Sequence, residues 1–275
     1  MNTSVLYIMI PSLLLVLLFL YFKRDSWGYT IAVLLSGATF IFVLFNTVQS
    51  PKSNQAIAFQ GGTKSGSMEI IPIKDQVLID APVVNQMPEL PRGCEVTALS
   101  MLLESAGVST DKMKLAKEIK KDPTPRTVKN GKVYFGNPNE GFVGNMYTFS
   151  EPGLGVYHGP IMELGEKYLP GKMVNLTGQS FEELKIPLST GRPVWVIINA
   201  EYRELDDSYF ETWETKSGPV KITMKEHSVL ITGYDEKYVY FNDPLTGKKN
   251  KKAPIRDFEK SWVQMGSQAL TYSGD

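Results

Sequence analysis

Two long apolar runs dominate the start of the chain, at residues 5–22 and 29–48, and neither contains Asp, Glu, Lys or Arg. A helix rises ~1.5 Å per residue, so either run is long enough to cross a hydrocarbon core of roughly 30 Å. A signal peptide is disfavoured, because no basic residue precedes the first run and no small-x-small cleavage motif precedes Lys23. The close succession of the two runs also disfavours buried core helices. The pattern predicts a two-helix transmembrane hairpin over residues 1–49.

The charges around the two runs predict their orientation. Lys23 and Arg24 lie in the short connection, whereas residues 1–4 carry no basic side chain. Basic residues favour the cytoplasmic side, so we expect the connection inside and both ends outside. The expected location is therefore the cell membrane, with two spans in the bilayer and everything after Gln49 extracytoplasmic.

Composition and periodicity divide the rest of the chain in two. Residues 50–74 are rich in Ser, Gly, Gln and Lys without a sustained apolar period, which is typical of a flexible linker. Residues 75–275 have the length of one domain with a sizeable core. The chain has one cysteine, so an internal disulfide cannot hold this domain together.

Helical spacing comes first in this domain and extended patterns come later. Leu99, Leu102 and Leu103 recur at helical spacing after Cys94, and Gly107 ends that run. We expect further helices at residues 111–120 (capped by Ser109 or Thr110), at 161–168, and after a capping box at 180–183, ending near Pro187. Strands are predicted at residues 193–199, 228–234, 237–241 and 269–272. This order predicts an α+β fold with an antiparallel sheet.

The segment 122–160 has a different character, being dense in Pro, Gly and Asn. A long irregular segment inside a compact domain is often functional, so we expect it to line a binding cleft. The aromatic and acidic segment 202–213 fits either a binding rim or a surface excursion. Both interpretations stay open.

The charge balance and the scarce metal-ligating residues exclude several function classes. Lys and Arg number 29, and so do Asp and Glu, which disfavours a nucleic-acid-binding surface. One cysteine and two separated histidines do not make a zinc set, so no metal and no other cofactor is expected. Nothing in the sequence predicts the oligomeric state.

Cys94 is the first candidate for chemistry. It follows Pro91 and Gly93 and is predicted within one turn of a helix N-terminus, where free N–H groups and the helix dipole favour a thiolate. The thiolate is the nucleophilic form of cysteine. The alternative is that Cys94 is simply a small buried apolar residue.

A histidine and an acid complete the candidate set. His227 opens one predicted strand and Asp243 ends its hairpin partner, so the two side chains are expected together at one end of the sheet. In that position a carboxylate orients an imidazole as a general base. His158 lies in a loop without an obvious acid, so a structural or solvated role is favoured for it. The amide of Gln86 is a candidate oxyanion donor, or else an ordinary loop amide.

Several sequence blocks carry a resemblance to a known family. They are residues 84–86 (VNQ), 93–99 (GCEVTAL), 137–144 (NPNEGFVG), 227–234 (HSVLITGY) and 242–244 (NDP). Over residues 77–272 the chain resembles stand-alone bacterial cysteine peptidases related to the bacteriocin-processing, double-glycine-leader peptidases. The resemblance implies a papain-like fold, with Cys94 as nucleophile, His227 as base, Asp243 as orienting acid and Gln86 as oxyanion donor.

The same resemblance has a limit. The leader peptidases that name the group are cytoplasmic domains fused to ABC exporters, whereas this sequence contains no ATPase and is expected to face outward. The favoured hypothesis is a membrane-anchored extracytoplasmic thiol hydrolase that cleaves a peptide or protein amide bond. The alternatives are a papain-like amidase acting on peptidoglycan peptides and a non-catalytic binding or assembly module.

Overall fold

The computed structural model describes residues 72–274, which form both helices and strands. The helices are α1 (Cys94–Ser105), α2 (Lys112–Glu118), α3 (His158–Tyr168), α4 (Phe181–Ser189) and α5 (Ile255–Gln264). The strands are β1 (Val77–Leu78), β2 (Lys121–Asp122), β3 (Thr127–Lys129), β4 (Lys132–Tyr134), β5 (Phe142–Val143), β6 (Met173–Asn175), β7 (Val194–Asn199), β8 (Phe210–Thr215), β9 (Gly218–Thr223), β10 (Glu226–Tyr234), β11 (Tyr238–Asp243), β12 (Lys248–Pro254) and β13 (Ala269–Tyr272).

An antiparallel sheet forms the centre of these residues. Its strand order is β12-β11-β10-β7-β13-β6, and β1 also pairs with β10. All six residues of β7 are buried, which explains its continuous apolar sequence. Leu230 stands opposite Trp195 and Val229 opposite Val196, so alternate pairs contribute to two different core clusters. The α+β fold predicted from the sequence is confirmed.

Helix α1 packs against one face of this sheet. Its residues from Cys94 to Leu103 are all buried, because β10 and β7 contact it along with α2 and α3. Complete burial of a side chain such as Leu99 stabilises the fold by about 1.5–3 kcal/mol. The indole of Trp195 on β7 donates a hydrogen bond of 3.0 Å to the carbonyl of Glu95. This bond fixes the first turn of α1 to the sheet.

Helices α4 and α5 contribute to the second core cluster. Phe181 packs edge-on against Phe258 and Trp262, both of which are completely buried. The capping box predicted at the start of α4 is present, with Ser180 and Glu183 exchanging hydrogen bonds. The sequence analysis did not predict α5, although Ile255, Phe258 and Trp262 follow helical spacing.

The segment 122–160 is more regular than its composition suggests. Strands β3 and β4 form a hairpin that joins β8 and β9 in a separate four-stranded sheet. Trp213 on β8 belongs to a small core cluster with Phe135. The centroids of these two rings lie 5.1 Å apart. Strands β3 and β4 were missed because each is only three residues long and mostly exposed. Trp213 therefore belongs to a core rather than to a surface rim.

Two predicted helix boundaries are shifted. Asp111 caps α2 rather than belonging to it, because its side chain accepts hydrogen bonds from the N–H groups of Met113 and Lys114. Helix α3 begins at His158, three residues before the predicted Ile161, since Pro160 is tolerated in a first turn.

The membrane prediction concerns another part of the chain. Within residues 72–274 no helix combines the length and the apolar character that a bilayer span requires. The predicted spans 5–22 and 29–48, and all but the last three residues of the linker 50–74, lie outside the described residues. They remain predictions, as does the domain boundary at residue 75.

Candidate active site

Cys94 is the first residue of α1, as the sequence predicts. Gly93 precedes it as the N-cap, and a Cβ at that position would lie 2.6 Å from the Cβ of Leu90. Glycine is therefore needed where the chain turns into the helix. Cys94 forms no disulfide, and only 6% of the residue is exposed. Its sulfur therefore lies at the end of the helix but beneath the surface.

His227 and Asp243 meet at one end of the central sheet. Nε2 of His227 lies 2.9 Å from Oδ1 of Asp243, and both side chains are buried. The hairpin of β10 and β11 brings them together, which confirms the predicted proximity. Because Nε2 faces the acid, Nδ1 is the ring nitrogen left to exchange a proton with another group.

The carboxylate of Asp243 accepts hydrogen bonds from donors that the sequence analysis did not identify. Its Oδ2 accepts from the hydroxyls of Tyr202 (3.0 Å) and Thr246 (2.7 Å) and from the ammonium of Lys251 (3.0 Å). Burial by itself would raise the pKa of Asp243. The hydrogen bond to His227 and the charge of His227, together with hydrogen bonds from Thr246 and Lys251, outweigh burial and hold the pKa of this carboxyl below its usual range. Asp243 is therefore a fixed, ionised partner for His227.

A cleft of about 340 Å³ opens over Cys94 and His227. The other lining residues are Gln86, Pro91, Arg92, Phe149, Leu154, Ala200, Met224, Lys225, Glu226 and Leu245. Three of the four predicted site residues thus line one cleft, and Asp243 is tied to it through His227. Phe149 and Leu154 come from the segment 122–160, so that segment does contribute to the cleft wall.

The amide of Gln86 is held in a defined orientation. Nε2 donates a hydrogen bond of 2.9 Å to the carbonyl of Pro91, and the backbone N–H donates one of 2.8 Å to the carbonyl of Pro244. A primary amide carries two N–H bonds, so one hydrogen of Nε2 is left for a ligand. The opposite atom, Oε1, is buried and has no hydrogen-bond partner among the described residues.

His158 lies elsewhere in the fold. Its Nδ1 and its backbone N–H both contact Oε1 of Gln268, at 3.0 and 2.9 Å. It does not line the cleft that holds Cys94. The structural role favoured from the sequence agrees with these contacts.

Two acids surround the sulfur of Cys94. The thiol donates a hydrogen bond of 3.4 Å to Oε2 of Glu95, and a carboxylate oxygen of Glu226 lies within 4.8 Å of the sulfur. Burial raises the pKa of the Cys94 thiol, and the negative charges of Glu95 and Glu226 raise it further. The expectation that the helix N-terminus favours a thiolate is therefore wrong for the unliganded site, because burial and two acids outweigh the helix end and the N–H of Ser228.

The carboxyl of Glu95 is itself unusual. It is completely buried and accepts a hydrogen bond of 2.6 Å from the N–H of Val156. Burial raises its pKa from 4.5 to about 7, and burial together with Glu95 raises the pKa of Glu226 well above its usual range. Gly155 makes room for both carboxyls, since a Cβ there would lie 2.2 Å from Glu95 and 2.8 Å from Glu226.

The model of the Peptidase_C39 like family matches residues 78–270. The chain belongs to this family. It is 46% identical over 194 residues to the uncharacterized protein YvpB of Bacillus subtilis strain 168, an alignment that covers 70% of this chain and 74% of YvpB.

A solved structure supports the same family assignment. The crystal structure of a candidate C39-like peptidase from Bacillus anthracis is 52% identical to this chain, with a TM-score of 0.68. The match covers 74% of this chain and 99% of the Bacillus anthracis chain. The resemblance stated from the sequence blocks is therefore confirmed, and so is the α+β fold.

The residues that surround Asp243 and Cys94 were not predicted from the sequence. Tyr202 follows β7, Thr246 lies in the turn between β11 and β12, and Lys251 is on β12. No sequence motif marks them. Glu95 and Glu226 did have a signal, because each is an acidic residue next to a predicted catalytic residue.

Proposed function

We propose that this protein is a membrane-anchored cysteine peptidase that cleaves an amide bond of a peptide or protein outside the cytoplasmic membrane. The observation that carries the proposal is the cleft in which Cys94, His227 and Gln86 meet, with Asp243 bound behind the imidazole. Membership of the Peptidase_C39 like family supports it.

The reaction follows from the positions of these groups. The sulfur of Cys94 attacks the carbonyl carbon of the scissile amide, and Nδ1 of His227 takes the thiol proton. Asp243 stabilises the resulting imidazolium through Nε2. Collapse of the tetrahedral intermediate transfers that proton to the leaving amine and leaves a thioester on Cys94. Water, deprotonated by His227, then releases the acid and restores the thiol.

Gln86 contributes to the same steps. In this proposal, the free hydrogen of its Nε2 and the backbone N–H of Cys94 donate to the oxygen that becomes negative in the intermediate. The bond to Pro91 keeps the nitrogen side of the amide in position. Because this orientation exists before substrate binds, little reorganisation is needed during attack.

The membrane location is proposed from the sequence of the first 49 residues. Two uncharged apolar runs and the basic pair Lys23 and Arg24 support two spans with the catalytic domain outside. Protease added to intact cells is expected to remove the domain that contains Cys94. Full protection of the domain, with cleavage only after lysis, would contradict this orientation.

The activity is tested with full-length protein in detergent. A diverse peptide pool and, separately, soluble peptidoglycan peptides are incubated with wild type and with Cys94→Ala, and new termini are identified by mass spectrometry. We expect cleavage of ordinary peptides by wild type alone. Cleavage confined to peptidoglycan peptides would favour the amidase, and no cleavage in either pool would favour a binding module.

A further inference from the structure

Glu95 and Glu226 have no role in the proposed reaction, although both lie next to its nucleophile, Cys94. The sulfur of Cys94 and one oxygen of each acid lie within 4.8 Å of one another. In their ionised forms, carboxylates this close to sulfur oppose thiolate formation, which the reaction needs. A group that neutralises these acids when substrate binds would remove that opposition.

The basic side chains that line the cleft are engaged elsewhere. Arg92 donates to the carbonyls of Asn145 and Thr148 and stacks on Phe149, with its guanidinium 4.9 Å from the ring centroid. Lys225 forms an ion pair of 3.0 Å with Glu201. Among the described residues, no Lys or Arg forms an ion pair with Glu226. Within residues 72–274, no lysine or arginine therefore compensates the ionised form of this acid.

Two buried oxygen atoms at the cleft lack a hydrogen-bond donor among the described residues. Oε1 of Glu226 and Oε1 of Gln86 are both shielded from solvent, and neither accepts a hydrogen bond within residues 72–274. Gln86 is only 2% exposed, whereas Glu226 is partly buried at the start of β10. Buried acceptors are normally satisfied, so two of them in one cleft indicate a ligand that brings donors.

We propose that this cleft binds substrates with a cationic group beside the scissile amide, namely a lysine or arginine side chain or an amino terminus, and that Glu226 recognises that group. The inference rests on the proposed peptidase function and adds its substrate class. Glu226 already lines the cleft, so a cationic group of a bound substrate lies against its carboxyl. Glu95, held by the N–H of Val156, stays behind as its acidic neighbour.

This arrangement links recognition to reactivity. A cation at Glu226 pairs with the ionised carboxylate and cancels its charge next to Cys94, which favours transfer of the thiol proton to His227. An uncharged substrate leaves the acids uncompensated and the thiol protonated. The reactive form of the nucleophile is then favoured when the appropriate substrate occupies the cleft.

The charge preference is testable without a known substrate, by using methanethiosulfonate reagents of opposite charge. The 2-aminoethyl and 2-sulfonatoethyl reagents each form a mixed disulfide with Cys94 and release methanesulfinate. Rates are measured at pH 7.5 with EDTA for full-length protein in a neutral detergent. For Cys94, the rate with the cationic reagent is divided by the rate with the anionic reagent. This ratio is then divided by the ratio measured in the same way for free 2-mercaptoethanol.

We expect this normalised ratio to be about tenfold for wild type, since one neighbouring charge changes reactivity on that scale. Glu226→Gln should bring it close to one. The matched control is Glu201→Gln, which removes an equal charge from the exposed acid that pairs with Lys225, and it should keep the wild-type ratio. A wild-type ratio near one, or equal loss in both variants, would overturn the proposal.

A second measurement uses the peptide pool and separates the two proposals. Cleavages by wild type should be enriched beside Lys, Arg or a free amino terminus, and Glu226→Gln should lose that enrichment while circular dichroism shows the same fold. Cleavage without enrichment would overturn the cation site alone. Absence of any cleavage that depends on Cys94 would overturn the peptidase function. The cation site would then be tested by the ratio of reagent rates alone.

Discussion

Asp243 binds His227 through one carboxylate oxygen and three other side chains through the second oxygen. Oδ1 lies 2.9 Å from Nε2 of His227, whereas Oδ2 accepts from Tyr202, Thr246 and Lys251. A carboxylate held from both sides has little freedom to turn. The acid therefore fixes the orientation of the imidazole.

Asp243→Asn is expected to lower kcat/KM by about 100-fold or more, mainly through kcat, because the amide is no longer a charged acceptor for the imidazolium. Hydrolysis of a peptide identified in the pool provides the assay. The exposed acid Asp257 on α5 offers a control, and Asp257→Asn should keep wild-type rates. Retention of activity within threefold by Asp243→Asn would remove the acid from the mechanism.

The two histidines are expected to differ in their effect on Cys94. His227→Ala should slow alkylation of Cys94 by iodoacetamide at neutral pH by at least about tenfold, because the thiol loses its proton acceptor. His158→Ala should leave the rate unchanged, since His158 contacts Gln268 outside the cleft. Similar rates for both variants would show that the wrong histidine was chosen.

The buried carboxyl of Glu95 should make stability depend on pH. Its pKa rises from 4.5 in the unfolded chain to about 7 in the fold, so folding favours the protonated form. The contribution of Glu95 to stability is then full below pH 4.5, declines as the pH rises to about 7, and is lost above that. Glu95→Gln should remove this decline, which we expect to be about 1–3 kcal/mol.

This difference is measured by urea unfolding of full-length wild type and Glu95→Gln at pH 4.5 and 7.5 in one detergent. The quantity of interest is the change with pH in the free-energy difference between the two proteins. Parallel pH profiles for wild type and variant would show that Glu95 is not protonated on folding.

Gly155 should tolerate no side chain, because a Cβ there would lie 2.2 Å from Glu95 and 2.8 Å from Glu226. Gly155→Ala is expected to lower the free energy of unfolding by about 1–3 kcal/mol. Gly159→Ala is the matched control, since the nearest atom to its Cβ would be 3.5 Å away. The comparison is made by urea unfolding. Equal stability of the two variants would mean that the carboxyls are not packed against Gly155.

The parts of the site that could be predicted from the sequence are those that local chain geometry brings together. His227 and Asp243 lie on adjacent strands of one hairpin, so alternation and a turn at residues 235–236 were sufficient to place them. The position of Cys94 followed from Gly93 and the helical spacing after it. Neither prediction needed knowledge of distant packing.

The missed parts depend on contacts between residues far apart in the chain. Glu95 and Glu226 meet because α1 packs on β10, and Lys251 reaches Asp243 from β12. The pKa of Cys94 was wrongly expected to be low, since a helix end is visible in sequence whereas burial and a second acid are not. Strands β8 and β9 were missed because few of their residues are buried and charges interrupt the alternation.

The central claim is that Cys94 attacks an amide carbonyl and carries the acyl group of the substrate. Full-length wild type is mixed with a cleaved peptide, quenched in acid within seconds and analysed by mass spectrometry. We predict a mass increase equal to the acyl fragment on the peptide that contains Cys94, released by hydroxylamine as expected for a thioester and absent from Cys94→Ser. Turnover of the same peptide by Cys94→Ser at the wild-type rate, with no adduct on Cys94, would contradict the account.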